Sequence, residues 1–281
     1  VWSPMSLDAA RGLLFLPVST PTNDWYGGDR KGDNLFAESV VALDANTGKR
    51  VLHFQIVHHG LWDYDLPAPP VLATITWEGK PRDVVAVPSK TAWIYVFDRE
   101  TGAPVWPIPE QAVPQSTVPG ERTSPTQPMP SNPPPFTRQV VTEDDLIDFT
   151  PEIKERALAV FRKYVSGPIF TPPSMKGTIT MPGSIGGAGW GSTSFDPETH
   201  VLYVKGTNNP VLYRIQKGIP NDTIGYEYTA DLVNSGLGVM VDPDSATPGH
   251  TPPPQLPLIK PPYGNMTAID ATGLLALEDL A

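Results

Sequence analysis

The sequence contains no cysteine, and this absence excludes disulfide bonds and thiolate metal sites. Positive charge is also scarce, because 20 Lys and Arg stand against 30 Asp and Glu and give a formal net charge of −10. Phosphate recognition needs a basic surface, so we expect no nucleic-acid partner. No apolar run approaches the roughly 18 residues of a membrane-spanning helix, so membrane association would have to come through segments outside this chain.

Proline and glycine are abundant instead, with 35 and 24 of the 281 residues, and they occur together with 7 Trp, 9 Tyr and 9 Phe. This mixture of turn formers and aromatic residues predicts a folded, loop-rich β protein rather than disorder. A chain of this length can bury a substantial core, in one large all-β domain or in two smaller ones. It begins inside an expected strand at Val1, without an initiator Met, and we therefore expect a processed product or a fragment.

Short β-type runs recur along the chain and end in turns that begin with Asp. Asp44-Ala45-Asn46-Thr47-Gly48 and Asp98-Arg99-Glu100-Thr101-Gly102 occupy the same place in two successive units, just before the fourth strand. Related turns begin at Asp196 and Asp270. Four-stranded units repeated at roughly 40 to 55 residues are typical of propeller blades. We predict an all-β fold, a β-propeller of four-stranded blades, with blade-like units at residues 1–57, 68–108 and 183–281.

The stretch between the second and third units, residues 109–182, is predicted to be an insertion with Pro-rich and short helical parts. Residues 104–135 contain 11 prolines and predict an extended arm, because proline lacks the backbone donor of a helix or central strand. Thr150-Pro151-Glu152 predicts a helix start, and apolar residues from Ile153 to Val165 follow at helical spacing as a core-facing stripe. A second Pro-rich arm, Pro248 to Pro262, interrupts the third unit.

The chemistry-bearing residues are concentrated in residues 57–67, VHHGLWDYDLP, which contain two imidazoles, an indole, a phenol and two carboxylates. Flanking β-type runs predict that this stretch is a loop on a sheet scaffold, where binding and catalytic groups are often found. An ordinary aromatic loop with solvated acids is the alternative, and the stretch alone leaves both open. His58 and His59 are candidates to line a substrate entrance or to serve as simple hydrogen-bond partners.

Several stretches, by their order and spacing, resemble the pyrroloquinoline quinone (PQQ) dependent dehydrogenases, closest to the membrane-bound quinoprotein glucose dehydrogenase group. The stretches are residues 1–8, 26–30, 41–44, 58–67, 119–128, 143–151 and 170–174. The resemblance implies an eight-bladed propeller with PQQ and a divalent cation on its axis. This chain would supply about three of those blades.

The resemblance also implies roles for individual residues. It puts the catalytic carboxylate on Asp63, which would take a proton from a substrate hydroxyl while hydride passes to the quinone and which would lie beside the cation. It puts the basic residue that contacts the quinone oxygens on Lys90, where an ammonium would stabilise the developing oxyanion. Thr20 matches an oxygen ligand of Ca²⁺ or Mg²⁺. Trp190, in the Gly-rich stretch 186–191, matches a region close to the quinone.

The residues alone leave other interpretations open. Asp63 could cap a loop, Lys90 could be a turn lysine, Thr20 a turn residue before proline, and Trp190 a propeller-core side chain.

The chain also departs from the family pattern. Gly60 stands where many relatives have Asp, Gly189 where many have Asn, and Leu52 replaces a Trp that docks neighbouring blades. Leu274 to Ala281 is not expected to continue the strand that should follow Thr272-Gly273, which indicates a truncated or frame-altered end.

The sequence therefore predicts an oxidoreductase that oxidises a sugar or alcohol hydroxyl with bound PQQ and passes electrons to a membrane quinone, in the periplasm by resemblance. The alternative is a non-catalytic propeller used as a binding or assembly scaffold, which has no reason to keep Asp63 and Lys90 together. Residues 1–281 alone are expected to be inactive and prone to aggregation. Trp93, Phe97, Trp106 and Trp190 are expected to be partly exposed, because three blades leave outer faces uncovered.

Overall fold

The structure, a computed structural model, describes residues 1–191, 193–218, 227–231, 238–240, 255–271 and 276–280. These residues form strands and one α-helix, with a short 3₁₀ helix at Glu143–Asp145. The elements are β1 Ser6–Asp8, β2 Leu13–Pro17, β3 Ser39–Asp44, β4 Arg50–Gln55, β5 Val71–Trp77, β6 Lys80–Pro88, β7 Ile94–Asp98, β8 Glu110–Ala112, β9 Thr126–Pro128, α1 Pro151–Phe161, β10 Val165–Ser166, β11 Thr178–Thr180, β12 Thr193–Asp196, β13 Val201–Thr207, β14 Val211–Lys217, β15 Tyr228–Asp231, β16 Gly238–Met240, β17 Gln255–Pro257, β18 Gly264–Asp270 and β19 Ala276–Leu280.

The first sheet follows the chain as an antiparallel meander in the order β1-β2-β3-β4. The second sheet has the order β5-β6-β7. Its expected fourth strand is reduced to a bridge between Phe97 and Pro104, supported by a hydrogen bond from the Val105 N–H to the Val96 carbonyl. The prolines that follow limit this strand, because they cannot donate to a ladder.

The third sheet has the order β12-β13-β18-β19, and its two central strands pair from Val201 opposite Asp270 to Thr207 opposite Gly264. Our expectation that Leu274 to Ala281 would not continue the strand is wrong for Ala276–Leu280, because β19 pairs antiparallel with β18. Leu274, Leu275 and Ala281 lie outside the described residues. The chain between the two central strands contributes β14 and β15 to a fourth sheet, β10-β11-β14-β15. That sheet thus joins strands from the predicted insertion to strands from the predicted third unit.

The Asp-centred turns have the same hydrogen bonds in both complete copies. Asp44 Oδ1 accepts from the backbone N–H of Thr47 at 2.8 Å and from its hydroxyl at 3.0 Å. Asp98 Oδ1 accepts the corresponding bonds from Thr101 at 2.9 and 2.8 Å. Each turn ends in a glycine at positive φ, 69° at Gly48 and 72° at Gly102, a region that side chains disfavour. The sequence repeat is therefore a repeat of turn chemistry.

Helix α1 begins where the sequence predicts. The Thr150 hydroxyl accepts a hydrogen bond of 3.3 Å from the Ile153 N–H, and Pro151 occupies the first helical position. Ala157 on its inner face is buried in a cluster with residues of β11 and the segment after β17. The predicted apolar stripe therefore packs against the sheet side of the protein.

Successive sheets bury their faces against each other. One apolar cluster joins the first and second sheets to the loop at 57–67, and it contains Phe15, Trp62 and Tyr95. Another joins the second and third sheets through Ile75, Leu202 and neighbouring residues. Within the described ranges, the structure has no helix whose length and hydropathy would suffice to span a bilayer.

The outcome for the four expected exposed aromatic residues is mixed. Trp93 and Phe97 are buried, so the expectation is wrong for them, because the first cluster covers both with Phe170, Phe54 and other side chains. Trp106 is half-buried and stacks edge-on against Trp77, and Trp190 is 67% exposed, as expected.

Candidate functional site

Lys90 is held by a tight loop, residues 89–93, between β6 and β7. The Ser89 hydroxyl donates to the Trp93 carbonyl at 2.9 Å, and the Ala92 N–H donates to the Ser89 carbonyl at 3.2 Å. Ala92 has φ 72°. Strand β7 therefore begins only at Ile94, because the loop occupies the residues before it. The loop directs the buried Lys90 side chain into the site.

The Gly-rich stretch lies directly on this loop. The Gly187 N–H donates to the Lys90 carbonyl at 2.8 Å, and the Ala188 N–H donates to the Ser89 carbonyl at 3.2 Å. A Cβ at position 186 would overlap the aliphatic stem of Lys90. These glycines therefore allow close packing on Lys90. Trp190 lies in an exposed turn at the end of the stretch, and its place beside a quinone stays a prediction.

Three of the four predicted site residues converge. Lys90 Nζ lies 3.1 Å from Asp63 Oδ1 and 2.9 Å from Asp65 Oδ2. The Thr20 backbone N–H donates to Asp65 Oδ1 at 2.6 Å. Asp63 and Lys90 belong to different loops, so long-range folding creates the ion pair. Their predicted catalytic roles, and that of Thr20 at a cation, stay predictions.

Asp65 is a site residue that the sequence analysis did not single out. It lies two positions beyond Asp63 in the same Trp-Asp-Tyr-Asp motif, and this repeated carboxylate was the available signal. The side chain of Asp63 is 21% exposed and that of Asp65 is 7% exposed. Asp63 is therefore the more accessible of the two carboxylates that share the Lys90 ammonium.

The two carboxylates differ in acidity. Burial raises the pKa of Asp63 to about 7 against the attraction of Lys90, and the negative charge of Asp65 adds to the increase. Burial acts in the same direction on Asp65, but Lys90 and the Thr20 N–H together keep the pKa of Asp65 below its usual value. Near neutral pH, Asp65 is thus the fixed counter-ion of Lys90, and Asp63 is the carboxyl that can exchange a proton.

Two further acids adjoin this triplet, and the sequence pattern did not reveal them. Glu38 is fully buried, and its Oε1 accepts a hydrogen bond of 3.1 Å from the Thr20 hydroxyl. Asp24 is half-buried, and burial together with the nearby charge of Asp65 raises its pKa. Glu38 only precedes the apolar run of β3, and a carboxyl at a strand edge is ordinarily exposed.

Arg30 fixes the loop at 57–67 from one side. Its Nη2 donates to the carbonyls of Asn23 at 3.0 Å and Gly60 at 2.9 Å. The guanidinium also acts to lower the pKa of Asp24, although burial outweighs this effect, so its positive charge reaches the acidic cluster.

The two histidines lie in structural contacts. His59 is buried, with Nε2 2.9 Å from Glu121 Oε1 and Nδ1 2.8 Å from the Gly32 carbonyl oxygen. His58 Nε2 lies 2.9 Å from Glu110 Oε1. His59 therefore ties the loop to residues 119–128 rather than facing an entrance.

Four side chains of this region sit on backbone with positive φ. The angles are 47° at Glu38, 48° at His59, 57° at Asp63 and 72° at Ala92. Such conformations cost on the order of 1 kcal/mol or more each for residues other than glycine, and they persist where the surroundings hold them. Those at Asp63 and Ala92 occur in the two loops that bring Asp63 and Lys90 together.

Three buried aromatic side chains form a platform on which the loop at 57–67 packs. Trp62, Tyr64 and Phe170 are fully buried in mutual contact. The Trp62 indole donates to the Thr171 carbonyl at 2.9 Å, and the Tyr64 hydroxyl donates to the Pro182 carbonyl at 2.7 Å. Asp63 thus lies between two anchored aromatic residues.

Replacing Tyr64 with phenylalanine tests this anchoring. Tyr64→Phe removes the hydroxyl and leaves the Pro182 carbonyl without this donor, so the free energy of unfolding should fall by about 1–2 kcal/mol. Denaturant titration measures the loss. Tyr263→Phe, at an exposed tyrosine, is the control and should change the free energy by less than about 0.5 kcal/mol. Equal stability of Tyr64→Phe and the parent protein would show that the bond contributes nothing.

The site offers the oxygen ligands that a hard cation prefers, because Asp24, Asp63, Asp65 and Thr20 all carry side-chain oxygen atoms. Within the described part of the chain, however, no three His, Cys, Asp or Glu side chains are grouped as a metal site would require. Lys90 Nζ supplies the positive charge between Asp63 and Asp65.

Comparison with protein families gives one match over nearly the whole chain. The family described as "PQQ: Glucose/ethanol/alcohol dehydrogenase, beta-propeller domain" matches residues 1–274.

Curated relatives agree with this match. The quinate/shikimate dehydrogenase (quinone) of Acinetobacter baylyi is 33% identical over 96% of this chain and 34% of its own length. The quinoprotein glucose dehydrogenase of Escherichia coli is 34% identical, also over 96% of this chain and 34% of its own length. The chain therefore spans about a third of the length of these relatives.

Solved structures share the fold. The quinohemoprotein alcohol dehydrogenase of Comamonas testosteroni matches 99% of this chain and 34% of its own with a TM-score of 0.58 at 21% identity. A europium-containing methanol dehydrogenase matches 100% of this chain and 39% of its own with a TM-score of 0.60 at 19% identity. The predicted all-β propeller architecture is confirmed.

Proposed function

We propose that this chain supplies the base and the lysine of an enzyme that oxidises a CH–OH group, because it belongs to the PQQ-dependent dehydrogenase family of β-propellers. The substrate class is a sugar, polyol or alcohol, and the electron acceptor is a quinone. The cellular location that goes with this role is the periplasm.

The observation that carries the proposal is the contact of 3.1 Å between Lys90 Nζ and Asp63 Oδ1. Two carboxylates and an ammonium are costly to bury, and apolar residues of similar volume would stabilise a scaffold as well or better. A binding or assembly scaffold therefore gives no reason for this triplet. A proton-transfer site does, because it needs a carboxyl that titrates near neutral pH beside a fixed cation.

The residues present fit PQQ and a divalent cation in their chemistry. Lys90 and Arg30 bring positive charge toward the acidic loop, and the oxygen atoms of Asp63 and Thr20 are hard donors. Glu38 Oε2 has no hydrogen-bond partner among the described residues, so one more side-chain oxygen of this region is available for a polar contact. PQQ, when bound, supplies the two-electron oxidant that no side chain of this chain provides.

The steps assigned to this chain are proton transfer and charge stabilisation. Asp63, the more exposed carboxylate, takes the proton of the substrate hydroxyl at its oxygen as the C–H bond is broken. Lys90, which is held by its contact with Asp65, stabilises negative charge that develops beside it. The buried platform of Trp62 and Tyr64 limits movement of Asp63 and keeps water from its inner side.

The substrate proposal is supported by the names of the relatives, which are dehydrogenases of quinate or shikimate, glucose and glycerol. These compounds all carry a hydroxyl on a carbon that bears hydrogen, often with further hydroxyls beside it. The acidic residues around Asp63 can accept hydrogen bonds from such neighbouring hydroxyls.

The experiment uses the complete protein that contains this chain, purified without cofactor. It is loaded with PQQ and either Ca²⁺ or Mg²⁺, and reduction of a soluble quinone is measured with glucose, quinate and glycerol. We expect turnover that depends on both PQQ and the cation, and a change in the PQQ absorbance on binding. Cofactor binding without oxidation of any CH–OH compound would favour the scaffold; no binding at all would overturn the cofactor assignment.

A further inference from the structure

Glu38 is a buried carboxyl that the proposed reaction does not use. Its side chain is fully buried, its Oε1 accepts from the Thr20 hydroxyl at 3.1 Å, and its Oε2 has no hydrogen-bond partner among the described residues. Its backbone links three segments, because its N–H donates to the Ser19 carbonyl at 3.0 Å and its carbonyl accepts from the Ile56 N–H at 2.9 Å. A buried polar group of this kind is costly unless it serves another purpose.

Gly60 leaves the space in which this carboxyl lies. A Cβ at position 60 would overlap all three atoms of the Glu38 carboxyl group. The φ of Gly60 is outside the positive range, so its backbone does not require glycine. The glycine is thus needed for room, and a side chain at position 60 and the Glu38 carboxyl exclude each other.

We propose that Glu38 is a positioning residue of this site. Its carboxyl, just before β3, fills the space that a side chain at position 60 would otherwise occupy, and it holds the Thr20 hydroxyl. Through the Thr20 hydroxyl and the Thr20 N–H on Asp65, it sets the position of the Asp65–Lys90–Asp63 triplet. The inference deepens the proposed function and rests on it for its catalytic consequence.

The charge state of Glu38 fits this role. Burial raises the pKa of Glu38 to about 8, so at neutral pH the carboxyl is largely neutral and can stay buried beside acidic neighbours. The groups that act on it are Thr20, whose hydrogen bond lowers its pKa, Asp65 and Asp63, which raise it, and Arg30, which lowers it. Burial raises the pKa of Tyr64, and the charges of Tyr213 and Glu38 add to this increase.

The test is a mutant cycle in the complete protein that contains this chain, with Glu38→Ala, Gly60→Asp and the double variant. Gly60→Asp alone puts two carboxyl groups into one space and should lower the thermal midpoint by several degrees. Glu38→Ala alone should lower the midpoint, shift the pKa of Asp63 measured by carboxyl NMR by about half a unit or more, and reduce kcat about tenfold with little change in KM. The double variant should recover at least half of each loss.

Glu38→Gln separates charge from shape. It keeps the size and the Thr20 contact, so kcat at pH 7 should stay within about twofold of the parent protein and above that of Glu38→Ala. A matched control is Glu78→Gln, at an exposed turn.

Three outcomes would overturn the inference. The double variant could show the full losses of both single variants, Glu38→Ala could leave the Asp63 titration unchanged, or Glu38→Ala could lower stability while kcat of the folded enzyme stays normal. Failure of the proposed function looks different, because the parent enzyme would then oxidise no CH–OH substrate. The thermal cycle and the NMR titration would still report on Glu38 in that case.

Discussion

Replacing Lys90 with methionine should lower the free energy of unfolding by about 3–5 kcal/mol at pH 7 and reduce turnover of the complete enzyme by roughly 30- to 1000-fold. Methionine keeps most of the side-chain volume but removes the ammonium that lies within 3.1 Å of both Asp63 and Asp65. Two partly buried carboxyl groups would then share one small space without a cation. The loss of turnover has a second cause, because the charge beside the developing oxyanion disappears.

The stability effect of Lys90→Met should depend on pH. Without Lys90 the folded-state pKa of Asp63 rises further above its value in the unfolded chain, and the pKa of Asp65 loses the attraction that keeps it below its usual value. The folded state of the variant therefore binds more protons than that of the parent protein. Destabilisation should therefore be largest near pH 7 and shrink as the pH falls toward 4. Denaturant titrations at pH 4.5, 6 and 7.5 measure this trend.

Lys80→Met, at the exposed first residue of β6, is the control for the loss of one lysine. It should leave stability within about 0.5 kcal/mol and turnover unchanged. A Lys90→Met enzyme that is as stable and as fast as the parent protein would show that the short contacts of Lys90 have no energetic or catalytic value.

The parts of the fold that could be predicted from sequence are those fixed by local chemistry. The turns at Asp44 and Asp98 form because one carboxylate accepts several bonds from the next three residues, and Thr150-Pro151 starts a helix for the same local reason. Strand ends were less predictable where a loop competes with the strand. The hydrogen bonds of Ser89 and the positive φ of Ala92 delay β7 to Ile94.

The site was predictable only in part, for a physical reason. Asp63, Lys90 and Thr20 were identified through family resemblance, and the structure brings them together. Asp24, Glu38 and Asp65 escaped notice because a carboxylate that will be buried looks the same in sequence as one that will be solvated. Burial depends on contacts between distant segments, such as the exclusion between Glu38 and position 60.

The expectation that Trp93 and Phe97 would be partly exposed was wrong for a related reason. Both were judged from the blade edges alone, but Phe170, which belongs to the predicted insertion, packs 6.3 Å from the Trp93 ring, and Phe54 packs 4.9 Å from that of Phe97. Side chains from an irregular stretch can complete a core that strand patterns leave open.

Replacing Asp63 with asparagine should reduce kcat of the complete enzyme at least about a hundredfold, while PQQ still binds. Asparagine has the same shape and tolerates the left-handed backbone conformation, with φ 57°, that Asp63 adopts. It lacks the basic oxygen that takes the hydroxyl proton. The loss is thus confined to chemistry rather than to loop conformation.

The same variant should be at least as stable as the parent protein above pH 7. The folded-state pKa of Asp63 is raised to about 7 from an ordinary value of 3.8, so its contribution to stability is complete below about pH 4 and is lost as the pH rises through 7. The asparagine side chain does not ionise, and the variant avoids this loss. Its stability relative to the parent should therefore increase between pH 4 and 7 and then level off, by at most about 4 kcal/mol.

Lower activity together with equal or higher stability is the pattern expected of a catalytic group whose charge is held at a cost to the fold. Asp29→Asn, at an exposed position near the site, is the control and should change neither kcat nor the unfolding curve. Near-normal turnover of Asp63→Asn would show that Asp63 is not the base. A large loss of stability at pH 8 together with lost turnover would show that Asp63 serves the loop instead, since a raised pKa and a stabilising buried charge cannot both hold for one carboxylate.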